Sequence, residues 1–273
     1  MSQTKHDGAV RQRETEPLGI TYDRLRLDAL LTRLVRERGI KTALELPADG
    51  AKAMPSIYSL ALARAGVHVT LYRPEEQGLE VWRRLGLIDK VTAVYEGTPA
   101  ATGLPDRSFD LVWNFVSVGF RPDFGDIIGE MARLSSRHVL TVHCNGFNWG
   151  YPWHKLLHAA FRLPWTHGET AYFFPNRVRD VYRGRGLNPA EFGHLDMPWW
   201  PDPPGFRDVR LHLSGGDRVE DLEWTAPIEA IYAGGEVPKL VQRLAKIEES
   251  EIPTPVRTVF SHLFYQLGER TSA

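Results

Sequence analysis

Cysteine is almost missing from this chain: Cys144 is the single one in 273 residues. An intramolecular disulfide is therefore excluded, and the usage fits a reducing compartment. Long apolar runs are missing too, since none reaches the roughly 20 residues that a membrane-spanning helix requires. Residues 1–17 are polar and charged, without the apolar centre of a secretory signal. The expectation is a soluble, cytoplasmic protein with no transmembrane segment. Neither sign of charge is in excess: 33 Lys and Arg against 34 Asp and Glu leave a formal net charge of -1. No overall basic field points to nucleic acid as a partner. The H-E-x-x-H zinc pattern, internal repeats and low-complexity tracts are also absent.

What is present describes a globular chain, with 42% hydrophobic and 25% charged residues and enough length to bury a sizeable core. Residues 1–20 read as a flexible N-terminal segment and 21–273 as a single domain. Leu27, Leu30, Leu31, Leu34 and Val35 recur at helical spacing, predicting a helix over 22–38 that Gly39 closes. Short apolar runs predict strands at 42–46, 67–72, 91–95, 110–116 and 138–143. Between them, helices are expected at 55–65, with Pro55 as a first helical residue, at 75–85 and at 124–134. This alternation predicts an α/β fold with a doubly wound, mostly parallel sheet and helices on both faces. A charged amphipathic helix is expected over 237–248, then a strand-like run over 258–267. From about 147 to 205 the chain is rich in aromatics and proline, the composition of a lid, an insert or an aromatic subcore.

The segment 94–110, V-Y-E-G-T-P-A-A-T-G-L-P-D-R-S-F-D, leads into the apolar run Leu111-Val112-Trp113-Asn114-Phe115-Val116. It resembles the middle of a class I S-adenosylmethionine-dependent methyltransferase of the type 11-like kind, in which a strand ends in a Gly-Asp pair beside the adenine. The resemblance spans roughly 42–197 and returns in the C-terminal F-Y-x-L-G run. It implies a Rossmann-like sheet with an antiparallel strand at its edge, S-adenosylmethionine as cofactor, and methyl transfer to a small-molecule acceptor.

Carried over residue by residue, the resemblance is uneven. Glu45 matches the acid ending the first strand, but the glycine-rich loop that should follow is rewritten as Pro47-Ala48-Asp49-Gly50-Ala51, leaving Ala48, Asp49 and Gly50 as the loop's candidate contacts. Arg73 stands where a ribose-binding carboxylate is expected. A guanidinium only donates, so Glu75 or Glu76 would have to supply the acceptor. Gly97 is kept, and Thr98 replaces the adenine-binding aspartate with an uncharged acceptor. Asn114 completes the cofactor set at the end of the fourth strand.

His143, near the end of the fifth strand, is the first candidate proton-transfer group, because imidazole exchanges protons near neutral pH. His154 is the second, four residues before His158 on one helical face with His167 nearby. No carboxylate lies at a compelling interval, so no metal site is expected. Two functions remain open: methyl transfer by positioning of donor and acceptor, or a non-catalytic scaffold that has lost donor binding and meets a partner protein through 147–200.

Overall fold

The computed structural model describes residues 13–49, 54–163, 165, 168–197 and 223–270. Its strands are β1 (Arg13–Thr15), β2 (Thr42–Glu45), β3 (His68–Tyr72), β4 (Val91–Val94), β5 (Phe109–Phe115), β6 (Ser135–Cys144), β7 (Leu187–Leu195), β8 (Glu223–Thr225) and β9 (Leu263–Arg270). The helices are α1 (Leu18–Arg38), α2 (Leu60–Arg64), α3 (Glu76–Arg84), α4 (Phe124–Leu134), α5 (Gly150–Ala160), α6 (Pro175–Gly184), α7 (Pro227–Tyr232), α8 (Lys239–Glu249) and α9 (Thr254–Phe260). Seven strands form one sheet in the order β4-β3-β2-β5-β6-β9-β7, and β1 pairs with β8 in a small parallel ribbon. All pairs from β4 to β6 are parallel, and β9 runs antiparallel to both β6 and β7. The antiparallel strand expected at the sheet's edge is thus present, one place in from that edge, because β7 flanks it.

Alternation along the strands splits the core in two. Ala43, Leu111, Trp113, Leu140 and Val142 pack on the side of α1 and Trp82, whereas Leu44, Val112 and Val139 pack on the side of α4 and Tyr182. Both faces are apolar because crossover helices cover both, as a parallel sheet requires. Chain order reverses direction at β2: β3 and β4 lie to one side and β5 and β6 to the other. Such a switch point opens a crevice at the carboxyl ends of the strands, which sets the place of a ligand site.

Three sequence expectations need correction. The helix expected over 55–65 is α2 alone, because Ser56 takes φ 60° and its buried hydroxyl donates to Ala48 O at 2.6 Å. The strand expected over 258–267 begins only at Leu263. Pro253 caps α9 and Pro255 sits in its first turn, so the run up to Phe260 is helical. Strand β7 adds to the expected set; Pro189 and Gly193 interrupt its pattern, and a register shift between Pro189 and Glu191 accommodates the proline.

The first twelve residues of the expected flexible segment 1–20 lie outside the described ones, as do His167 and residues 198–205 of the aromatic insert. Residues 13–20, however, are built into the fold. Glu16, 3% exposed, pairs with the equally buried Arg24 of α1, and it accepts from Met54 N–H at 3.0 Å. Arg24 also donates to Met54 O at 2.7 Å, so the buried pair clamps the connection from β2 to α2 against α1.

Candidate functional site

Glu45, Arg73, Gly97 and Asn114 come together at the carboxyl edge of the sheet, at or just beyond the ends of β2, β3, β4 and β5. Their side chains do different work there. Glu45 is fully buried; Oε2 accepts from the Ser59 hydroxyl at 2.7 Å, and that hydroxyl accepts from the Trp113 indole at 3.0 Å. Burial pushes the Glu45 carboxyl up to about 8, with the Ser59 hydrogen bond pulling the other way and Asp49 adding to the rise. The group is therefore held as the neutral acid at pH 7.

Asn114 is equally buried and knits two loops together. Its Nδ2 donates to Pro47 O and to Ser117 Oγ, both at 3.0 Å, and its Oδ1 accepts from Val118 N–H at 3.1 Å. Arg73, itself at φ 53°, turns its guanidinium onto the neighbouring loop: Nη2 donates to Gly97 O at 2.6 Å and Nε to Tyr95 O at 3.2 Å. A cation donating to carbonyls braces the turn after β4.

That turn needs its glycine. Gly97 has φ 75°, and a Cβ there would stand 2.5 Å from Ala101 O. Thr98 closes the turn by exchanging backbone hydrogen bonds with Ala101 at 3.0 and 2.9 Å. Of the loop after β2, Ala48 is buried, its N–H donating to Tyr72 O at 2.9 Å, and Asp49 is exposed; Gly50 lies outside the described residues. Glu75, at the N-cap of α3, has its carboxyl raised by burial first and by Asp49 second. Asp49 therefore acts electrostatically on both Glu45 and Glu75, and on Arg121 as well, beside the ends of β2 and β3.

A second feature lies along the same edge. A cavity of ≈ 170 Å³ is walled by Phe120, Tyr151, Trp165 and Phe173, with Cys144, Asn148, His154 and His262 as polar lining. Val116 helps to shape it. This β-branched residue holds φ 67° and ψ -44°, a strained turn that sends the chain from β5 into a short 3-10 helix (Ser117–Phe120) ending at the cavity wall. His262 Nδ1 lies 2.9 Å from the Asp196 carboxylate, which is 4% exposed and itself held at φ 56°. A carboxylate only accepts, so Nδ1 carries the N–H of that pair.

His154 lies on the cavity, with Nε2 3.0 Å from His158 Nε2. His143 does not, and here the expectation is corrected. Strand alternation puts Cys144 on the cavity and turns His143 to the opposite face, 1% exposed between Phe124 and Phe264. Its Nε2 shares a hydrogen bond with Thr141 Oγ1 at 2.7 Å, and burial pulls its basicity down to about 3. A neutral imidazole locked in the core has no reach to a ligand in that cavity. Among the described residues no group of three or more His, Cys, Asp or Glu is placed to hold a metal, and no helix is long and apolar enough to cross a membrane. The Asp196–His262 pair is invisible in the sequence because 66 residues separate its members and neither sits in a recognisable motif.

No protein-family model matches the chain, and no curated protein matches it in sequence. Solved structures do resemble it. A S-adenosylmethionine-dependent methyltransferase from Thermotoga maritima aligns with TM-score 0.51 and 13% identity, over 93% of this chain and 92% of its own. A protein of Bacillus halodurans C-125 named a methyltransferase aligns with TM-score 0.52 and 13% identity, over 90% and 99%. The 4+2 cyclase SpnF aligns with TM-score 0.53 and 16% identity, over 90% and 81%. The fold is therefore that of the class I S-adenosylmethionine-dependent methyltransferases. Because a cyclase shares it, the fold by itself does not name the reaction.

Proposed function

We propose that the chain transfers a methyl group from S-adenosylmethionine to a small-molecule acceptor. The observation that carries this reading is the presence, along one sheet edge, of the acids Asp49 and Glu75 near the switch-point crevice and of an aromatic-walled cavity at the end of β6. The crevice suits a donor with cationic and hydroxyl-bearing parts. Glu75 and Asp49 offer the carboxylate acceptors that Arg73 cannot, Thr98 offers a neutral acceptor, and Gly97 keeps the turn close to the sheet edge. When bound there, S-adenosylmethionine supplies an electrophilic methyl group.

The chain's own contribution is placement and proton handling. Aromatic walls exclude water and orient a small planar acceptor. Nε2 of His262, with Asp196 holding the opposite nitrogen, takes the proton that an acceptor hydroxyl or amine releases. His154 is a second polar contact on the same wall.

Calorimetric titration with S-adenosylmethionine and S-adenosylhomocysteine tests the proposal. Saturable heat in the micromolar range is expected, weakened at least tenfold by Glu75→Ala with Asp49→Ala. The scaffold reading draws on a specific observation: Glu45 Oε2, the Asn114 amide and Arg73 Nη2 bond to the protein itself, whereas Glu45 Oε1 is buried without a hydrogen bond. Absence of binding up to millimolar donor by a folded chain decides for the scaffold.

A further inference from the structure

Helix α8 carries an acid where its packing pattern calls for an apolar side chain. Val241, Leu244 and Glu248 recur at intervals of three and four residues, so they share the stripe that faces the core. Val241 and Leu244 pack with Tyr22 of α1, and Glu248 continues the stripe at 2% exposure. A buried carboxylate is a poor source of stability, since a well-packed apolar side chain of similar volume often serves a core as well or better. Its partners account for it. Glu248 Oε2 accepts from the Tyr22 hydroxyl and from Met197 N–H, the latter at 2.9 Å, and Oε1 lies 3.2 Å from Arg26 Nε.

Met197 N–H belongs to the same peptide group as Asp196 O. That carbonyl accepts from His262 N–H at 2.8 Å, so the peptide plane is held from both of its edges. Asp196 needs such a hold. It stands at φ 56°, a left-handed conformation that costs an L side chain energy and persists only where its surroundings over-determine it. From there its buried carboxylate lies 2.9 Å from His262 Nδ1. His262 has anchors of its own: its carbonyl accepts from Asn145 N–H at 2.7 Å, and Ser261 O accepts from Asn145 Nδ2 at 2.8 Å and from Asn148 Nδ2 at 3.0 Å.

We propose that Glu248 is a positioning residue for the Asp196–His262 pair, fixing the peptide between Asp196 and Met197 so that the Asp196 carboxylate stays aimed at His262 Nδ1. Released from Glu248, that peptide turns, Asp196 relaxes to negative φ, and its Cβ carries the carboxylate away from the imidazole. The tie depends on reach and not on charge. An amide oxygen at the position of Oε2 accepts from Met197 N–H as a carboxylate does, whereas a carboxylate one methylene shorter falls short of it. His262 lines the cavity, so the consequence for proton handling rests on the methyl-transfer reading, while the positioning itself does not.

The ring nitrogens of His262 report the pair without donor or acceptor. Long-range proton–nitrogen NMR spectra of the whole chain, recorded at about pH 9 where imidazole is neutral, should show the proton on Nδ1, with His262→Gln assigning the signals. Asp196→Ala should move the tautomer ratio by about threefold or more toward the Nε2–H form. Glu248→Asp should do the same although the charge is kept, and Glu248→Gln should retain the parent spectrum although the charge is lost. Glu248→Leu combined with Tyr22→Phe suits the apolar stripe and provides a second chain without the tie, expected to behave as Glu248→Asp does. Circular dichroism and a cooperative melt establish that each variant is folded. An unchanged His262 spectrum in the folded variants that lack the tie overturns the proposal, leaving Glu248 a structural residue. Equal shifts in Glu248→Gln and Glu248→Asp also overturn it, because the charge of Glu248 would then act on His262 directly. Should the expected shifts appear in a chain that binds no donor by calorimetry, the methyl-transfer reading fails and the positioning stands.

Discussion

Gly97 shows how a single position carries both fold and site. Its positive φ, and the 2.5 Å that would separate a Cβ from Ala101 O, leave no room for a side chain. Gly97→Ala is expected to cost about 1–3 kcal/mol in denaturant titrations and to weaken donor affinity, because the whole turn must shift. Glu45 makes a prediction about pH. Its carboxyl is raised from 4.5 to about 8 in the fold, so between those values the native state holds a proton that the unfolded chain releases. Stability therefore falls as pH rises from 4.5 to 8, by at most on the order of 1 kcal/mol per pH unit. Glu45→Gln should flatten that slope in unfolding curves recorded across the range; an unaltered slope would mean that Glu45 is ionised in the fold. His143 works in the opposite direction. Its basicity drops from 6.5 to about 3, so stability is lost as pH falls through that window, where the unfolded chain takes up the proton first. His143→Phe should remove that acid sensitivity and leave turnover intact.

Among the elements, the junction of β6, β9 and α6 is where the parallel half meets its antiparallel addition. Tyr182 of α6 bridges it, with its hydroxyl 2.8 Å from Thr141 Oγ1 on β6 and donating to Gln266 O on β9 at 3.1 Å. Tyr182→Phe removes the bridge and strands buried polar atoms, so a loss of about 1–3 kcal/mol is expected by chemical denaturation. Close packing sharpens the point: Gly268 lies against the Tyr182 ring, with a Cβ there only 2.6 Å from Cδ1. Gly268→Ala should therefore be at least as damaging as the loss of the hydroxyl. The loop from β2 to α2 is held at Met54 by partners far away in sequence, Glu16 and Arg24, while Ser56 delays its helix to Leu60.

For the molecule as a whole, the proposed donor binding carries a stability readout. A ligand that binds only the native state stabilises it by about 2.7 kcal/mol at a hundredfold excess over Kd. Millimolar S-adenosylhomocysteine should therefore raise the melting temperature by several degrees, and Arg73→Asp should enlarge the shift if the guanidinium now occupies ribose space. No shift in a folded sample would point to the scaffold reading.

Local patterning by itself determined the alternating helices and strands, the parallel sheet and the edge at which a ligand would sit. Period-2 and period-3.6 burial are written into each segment without reference to distant residues. Gly97 was legible for the same reason, as a glycine in a turn. What only the tertiary structure decided is which side chains remain available at that edge. Glu45, Arg73 and Asn114 were readable as strand-end residues, but Ser59 takes Glu45 Oε2, Gly97 O takes Arg73 Nη2 and Pro47 O takes Asn114 Nδ2. The face that His143 presents depended on where β6 begins and on which helix covers it, and the Asp196–His262 pair exists only because β7 and β9 are neighbours. Long-range pairing closes loops of many residues, and no local pattern encodes which partners meet across them.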